Sequence, residues 1–220
     1  MLSTKVIYLL SGLGADKRVF EFLDLSAFTV SHIDWINPGE NESLEAYARR
    51  LCAQITSNKP TLIGVSFGGM VAIEIAKHIP CEKVILISSA ATKSEIPFYF
   101  RIAGKMRFHK LVPIQILKQV NSFTQWMFGT EGAEERALLK EIIQQTDIRF
   151  LRWAIDKIVS WRNLNTPPHV VKIHGTMDRI LPATKADYQI EGGGHFMIVS
   201  KAAGLSVILH KQLAGPTNQT

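Results

Sequence analysis

The stretch Thr61-Leu62-Ile63-Gly64-Val65-Ser66-Phe67-Gly68-Gly69-Met70-Val71-Ala72-Ile73-Glu74-Ile75-Ala76 passes from a short β-rich run into a pattern of helical period, with one serine at the junction. Glycines stand two residues before and two residues after Ser66. A strand that turns directly into a helix brings backbone segments so close that a Cβ at either glycine would collide, and the bend exposes the serine hydroxyl. The helix starting just past Ser66 directs its unpaired N–H groups and positive dipole end at any negative charge that forms there. Small residues also serve simply to pack a strand on a helix, so the remainder of the chain must decide between packing and chemistry.

Outward from this junction, Val-, Ile- and Leu-rich runs alternate with helix-period segments, the order expected of a parallel sheet covered on both faces. The pattern predicts strands over 5–10, 28–33, 61–65, 82–87, 170–173 and 186–190. A turn at Ser11-Gly12-Leu13-Gly14 leads to a short helix over 18–23, with Asp16 placed as its cap. After the breaker Asn37-Pro38-Gly39, Ser43 is placed to cap a helix whose apolar face is Leu44, Tyr47, Leu51 and Ile55. The helix after Ser66 is expected to end near Pro80, and a final helix to run over 196–213. Between 91 and 165 only helical signals occur, over 98–111, 114–128, 133–144 and 147–161. The expected organisation is therefore a sheet core made of 1–90 and 166–220, interrupted by a helical insertion over 91–165 whose aromatics pack it onto the sheet.

The chain of 220 residues accommodates one sizeable domain. No apolar stretch approaches the roughly 18 to 20 residues that cross a bilayer. Val6-Ile7-Tyr8-Leu9-Leu10 is shorter than the about 7 to 15 apolar residues of a secretory leader, and Cys52 and Cys81 lack disulfide or metal spacing, so a cytoplasmic location is expected. The formal charge of +6 is concentrated: residues 91–165 hold 12 Lys or Arg against 7 Asp or Glu, and the remainder 13 against 12. No aromatic and basic interleaving of a nucleic-acid module accompanies this surplus, so nucleic acid is not an expected partner. His169 and His174 have no companion at metal-ligand spacing; both are assigned to packing, and no metal is expected.

A serine hydroxyl is a poor nucleophile near neutral pH and needs a base, itself oriented by a third group. His195 follows Gly192-Gly193-Gly194 after the last strand, and Asp178 lies in His174-Gly175-Thr176-Met177-Asp178-Arg179-Ile180-Leu181-Pro182 after the strand over 170–173. With Ser66, all three sit at carboxyl ends of predicted parallel strands, where open α/β sheets place their sites. Only 16 residues separate Asp178 from His195, too few for a helix plus a strand. Asp187 is the second candidate for the orienting acid should that shortening displace Asp178.

These residues, in the order Ser66, Asp178, His195, resemble the α/β-hydrolase superfamily, most specifically at Gly64–Gly69, His174–Pro182 and Gly193–Phe196. The resemblance implies an α/β-hydrolase fold with a mostly parallel sheet flanked by helices, and it puts the insertion where that superfamily carries its lid. The chain starts at what would be the third strand of the larger fold, so about six strands are expected in place of eight. Backbone amides of Leu13 and Phe67 are implied as the oxyanion hole. Ser11 departs from the commoner histidine before that loop's glycine, a change that leaves backbone donors intact. A serine at the elbow, where relatives acting on halides or epoxides carry aspartate, implies attack on an ester or thioester carbonyl without a cofactor. The aromatic-rich insertion suggests an apolar acyl or alcohol group, and Arg101, Lys105, Arg107 and Lys110 suggest an acidic carrier protein or a coenzyme A thioester. Some relatives use the same residues to report a bound ligand to another protein, so a sensor stands as the alternative to an enzyme.

Overall fold

Strand β3, Thr61–Val65, is buried at every position, and the sheet is built outward from it. The computed structural model describes residues 6–107, 111–182 and 185–214. The expected strand start at Lys5, the helix stretch containing Phe108 and Lys110, the link at Ala183-Thr184 and residues 215–220 lie outside the described residues. Strands β1 (Val6–Leu10), β2 (Thr29–His32), β4 (Lys83–Ile87), β5 (Val170–Gly175) and β6 (Tyr188–Ile190) complete one six-stranded sheet in the order β2-β1-β3-β4-β5-β6. Every pairing is parallel, with Leu10 opposite Gly64 and Val65 opposite Ile87.

The central strands read as unbroken apolar runs because both faces are covered. Alternate residues serve opposite faces. Tyr8, Leu10, Leu62, Val84 and Leu86 pack with helices α1 (Leu44–Leu51) and α2 (Phe67–Ile75). Ile7, Leu9, Ile63, Ile85 and Ile87 pack beneath α8 (Met197–Ser200) and α9 (Ala202–Leu213), together with Val19 and Phe20 of the 3-10 turn Lys17–Phe20. Ser43 caps α1 by accepting from Ala46 N at 3.1 Å, and Asp16 caps the 3-10 turn by accepting from Arg18 N at 3.0 Å. Caps of this kind contribute about 1 kcal/mol each.

Between β4 and β5 lie α3 (Phe98–Lys105), α4 (Ile114–Leu117), α5 (Ser122–Phe128), α6 (Ala133–Gln145) and α7 (Ile148–Ser160). The helix expected over 98–111 stops at Lys105, and Arg107 then takes a left-handed φ of 57°. The helix expected over 114–128 is two, because Asn121 leaves the helix to cap α5 on Thr124 N. The final helix divides at Lys201, whose backbone is not helical. α2 ends at Ile75 and continues as tight turns through Ile79.

The insertion is fastened to the sheet domain through α7. The Trp153 and Tyr47 ring centroids lie 4.4 Å apart with the planes tilted by 47°, and Phe150 meets Phe67 edge-on at 6.2 Å. Trp161 Nε1 donates to the buried carboxylate of Glu74 at 2.6 Å, and Lys77 pairs with the other oxygen at 2.7 Å, so this charge inside an apolar helix is paid for. Phe150 and Trp161 are buried and Phe100, Phe128 and Trp153 pack against the core, as expected of the insertion's aromatics, whereas Phe98, Tyr99, Phe123 and Trp126 are exposed.

Candidate active site

Ser66 connects β3 to α2 with φ 50° and ψ −119°, a conformation that side-chain-bearing residues adopt at a cost of about 1–3 kcal/mol. Its backbone is held by Ser66 N donating to Ile87 O at 2.9 Å and by Ser89 Oγ donating to Ser66 O at 2.6 Å. A Cβ on Gly64 would lie 2.5 Å from Gly68 O, and one on Gly68 would strike the carbonyl oxygens of Leu10 and Ser11, so neither site admits alanine without backbone movement. A serine at a helix N-cap ordinarily accepts from the first-turn amides. Here no such bond forms, and the hydroxyl instead lies 2.8 Å from His195 Nε2.

The loop after β6 brings His195 to this point. Met177 N donates to Gly193 O at 2.9 Å, tying that loop to the one after β5, and Phe196 N donates to Phe128 O at 2.9 Å, tying it to the insertion. The His195 ring is buried, with Phe128 edge-on at 5.6 Å. Its Nδ1 lies 2.8 Å from Asp178 Oδ2. With Nδ1–H donating to the carboxylate, Nε2 is left to accept the Ser66 proton.

Asp178 has a fully buried side chain with an acceptor role at both oxygens. Oδ1 accepts from Ile180 N and Leu181 N, each at 2.9 Å, and Oδ2 faces His195 at 2.8 Å and His174 Nε2 at 3.4 Å. Burial alone would raise its pKa. The charge of His195 and hydrogen bonds from His174, His195 and the Leu181 amide more than offset burial and hold it well below the usual carboxylate range. The short connection has therefore not displaced Asp178. Asp187 is exposed and accepts from Lys172 N at 2.7 Å, fixed on the β5–β6 edge and not on His195.

The loop Ser11–Gly14 lies against the elbow, since a Cβ on Gly12 would sit 3.5 Å from Ser66 Cβ. Ser11 Oγ donates to Ala15 O at 2.7 Å, and Ala15 N donates to Gly12 O at 3.0 Å, which closes the loop. Among the described residues neither Leu13 N nor Phe67 N has a protein acceptor. Leu13 and Ser66 share a hollow of about 40 Å³ with His195.

Two groups escaped the sequence reading. His174, expected in strand-end packing, does sit at the end of β5, but its Nε2 also bonds Leu181 O at 2.6 Å and faces the carboxylate. The apolar wall of the hollow comes from Leu139, Ile142 and Ile143 of α6, with Phe128 the insertion aromatic that joins them. A larger cleft of about 520 Å³ beside Glu74, Lys77 and Trp161 shares no residue with Ser66, His195 or Asp178, so size alone does not locate the chemistry. Among the described residues no three His, Cys, Asp or Glu side chains converge as metal ligands, and no helix is long and apolar enough to cross a membrane.

The model of the alpha/beta hydrolase family matches residues 7–206. No curated protein matches the sequence significantly. Among solved structures, MenH from S. aureus superposes with a TM-score of 0.71 at 17% identity, covering 99% of this chain and 96% of that one. A thermophilic esterase from Thermogutta terrifontis superposes at 0.68 and 17% identity, covering 96% and 89%. A bromoperoxidase from Bacillus anthracis superposes at 0.69 and 16% identity, covering 96% and 92%. At such identities the likeness establishes the fold and leaves the substrate to the site itself.

Proposed function

Because the chain belongs to the alpha/beta hydrolase family, we propose that it is a serine hydrolase that cleaves a carboxylic ester or thioester through an acyl-enzyme on Ser66. The observation that carries this reading is the continuous relay from Ser66 Oγ to His195 Nε2 and from His195 Nδ1 to Asp178 Oδ2, 2.8 Å at each link. His195 takes the Ser66 proton as Oγ attacks the carbonyl carbon, and Asp178 stabilises the imidazolium that forms. The oxyanion is received by the Leu13 and Phe67 amides, the second at the positive end of α2. His195 then protonates the leaving alcohol or thiol as the C–O or C–S bond breaks. Water, deprotonated by His195, attacks the acyl carbon, and Ser66 leaves with its proton restored. No step draws on a cofactor.

In this reading residues 91–165 act as the lid, with α6 and Phe128 over the nucleophile. Arg101, Lys105 and Arg107 are exposed on it and supply the charge that would attract an acidic carrier protein or a coenzyme A thioester.

A fluorophosphonate followed by peptide mapping is expected to label Ser66, and Ser66→Ala is expected to lower kcat by about 10⁴-fold or more while the fold persists. Near-native esterase activity in that variant would overturn the assignment. Labelling without multiple turnover on any ester or thioester, joined to ligand-dependent capture of a partner, would favour the sensor. Hydrolysis of carrier thioesters that falls with salt while hydrolysis of neutral esters does not is the expected sign of the basic lid.

A further inference from the structure

Resting on the serine-hydrolase reading, we infer that the acyl group is short and uncharged, about two to four carbons in all. The hollow beside Ser66 and His195 has a volume of about 40 Å³, room for about three water-sized groups. That accommodates the carbons beyond the carbonyl of an acetyl, propionyl or butyryl group.

On its core-facing side the hollow is closed. Its far wall is Val19, Leu139, Ile142 and Ile198, each no more than 2% exposed and part of the core beneath the sheet. Leu139 and Ile142 lie three residues apart on α6 and present one face to the nucleophile. α6 is held in place from outside: Arg18 pairs with Glu141 at 2.7 Å and bonds Gln145 at 2.8 Å, and Thr146 Oγ1 lies 3.1 Å from Gly14 O. Toward the core, a longer chain would have to displace close-packed side chains.

The occupant is the acyl group and not the alcohol because of what each must do. The leaving group departs before water arrives and needs a route to solvent, which the core-facing wall of the hollow does not offer. The acyl group stays covalently on Ser66 through that interval, walled by Leu13 and the aliphatic side chains. Apart from Ser66 and His195 the side chains lining the hollow are apolar, so a charged or hydroxylated acyl chain would be left unsolvated.

The test is hydrolysis by the full chain of p-nitrophenyl acetate, butyrate and octanoate, beside an acetate series with ethyl, hexyl and phenyl alcohols. We expect kcat/KM to fall at least about 100-fold from butyrate to octanoate and to vary far less with the alcohol. Leu139→Ala is expected to raise octanoate relative to butyrate at least about 10-fold, with Val19→Ala as the second variant should the first fail to fold; the wild-type series decides the matter without either. Octanoate cleaved as well as butyrate, or a length dependence that follows the alcohol, overturns the short-acyl inference and leaves the hydrolase reading standing. Failure of Ser66 to label with fluorophosphonate, together with no turnover in either series, overturns both.

Discussion

His174 Nε2 lies 2.6 Å from Leu181 O and 3.4 Å from Asp178 Oδ2, so one buried imidazole braces both the carboxylate and the loop that closes over it. Ile180 N and Leu181 N donate back to Asp178 Oδ1 at 2.9 Å, making the segment from β5 to Leu181 a small closed network. His174 touches no reacting atom in the proposed mechanism; it acts through Asp178 as a positioning residue.

Removing that brace should be legible in kinetics. His174→Leu leaves Leu181 O without its buried donor, a loss of about 1–3 kcal/mol in stability that urea unfolding would measure. We expect kcat to fall about 10-fold with KM nearly unchanged, and His174→Gln, which can still donate to Leu181 O, to recover part of both losses. A KM effect with kcat intact would place His174 in substrate binding instead.

Asp178 makes acid pH a probe of the same network. Its folded-state pKa is depressed below the roughly 3.9 of an unfolded aspartate, so the unfolded chain binds the proton more readily. The stability this carboxylate contributes is present in full above that unfolded value and is lost as pH falls from about 4 through the folded pKa. Asp178→Asn should therefore show a shallower loss of stability below about pH 4 than the native chain, measured as urea midpoint against pH. The same substitution should lower kcat by about 10⁴-fold, because an amide cannot hold His195 in the Nδ1–H tautomer.

The sheet and the convergence of Ser66, Asp178 and His195 were readable because each signal is local. A strand that ends in glycine-marked turns tells where its last residue points, and parallel strands bring those ends to one edge. The insertion was readable as helical but not as geometry. Leu139 and Ile142 carry the same apolar period whether they cover Ser66 or the far end of the sheet, and only the fold decides. Its boundaries slipped where capping competes with helix continuation, as at Asn121, or where a left-handed residue stops the helix, as at Arg107. The contact of His174 with the carboxylate has no sequence signal, because it depends on β5 running two residues beyond the expected end. The exposed Phe98, Tyr99, Phe123 and Trp126 show the converse failure: helical spacing of aromatics does not say which side of a helix finds a neighbour.

The elbow itself predicts a separation of stability from function. Ser66 is held at φ 50° by Ile87 O, by Ser89 Oγ and by the close approach of Gly64 and Gly68, so the strain belongs to the backbone and not to the hydroxyl. Ser66→Ala keeps a Cβ in that conformation and should retain the strain while losing the bond to His195. Ser66→Gly loses the same bond but occupies the positive-φ region freely, against a larger entropy in its unfolded chain. We expect the glycine variant to be about 1 kcal/mol more stable than the alanine variant, with both equally inactive, as read from thermal unfolding and ester hydrolysis on the same samples. Equal stabilities would mean that the bend around residue 66 relaxes when its hydroxyl is removed, and that the His195 bond, not the packing of Gly64 and Gly68, holds the turn in its strained form.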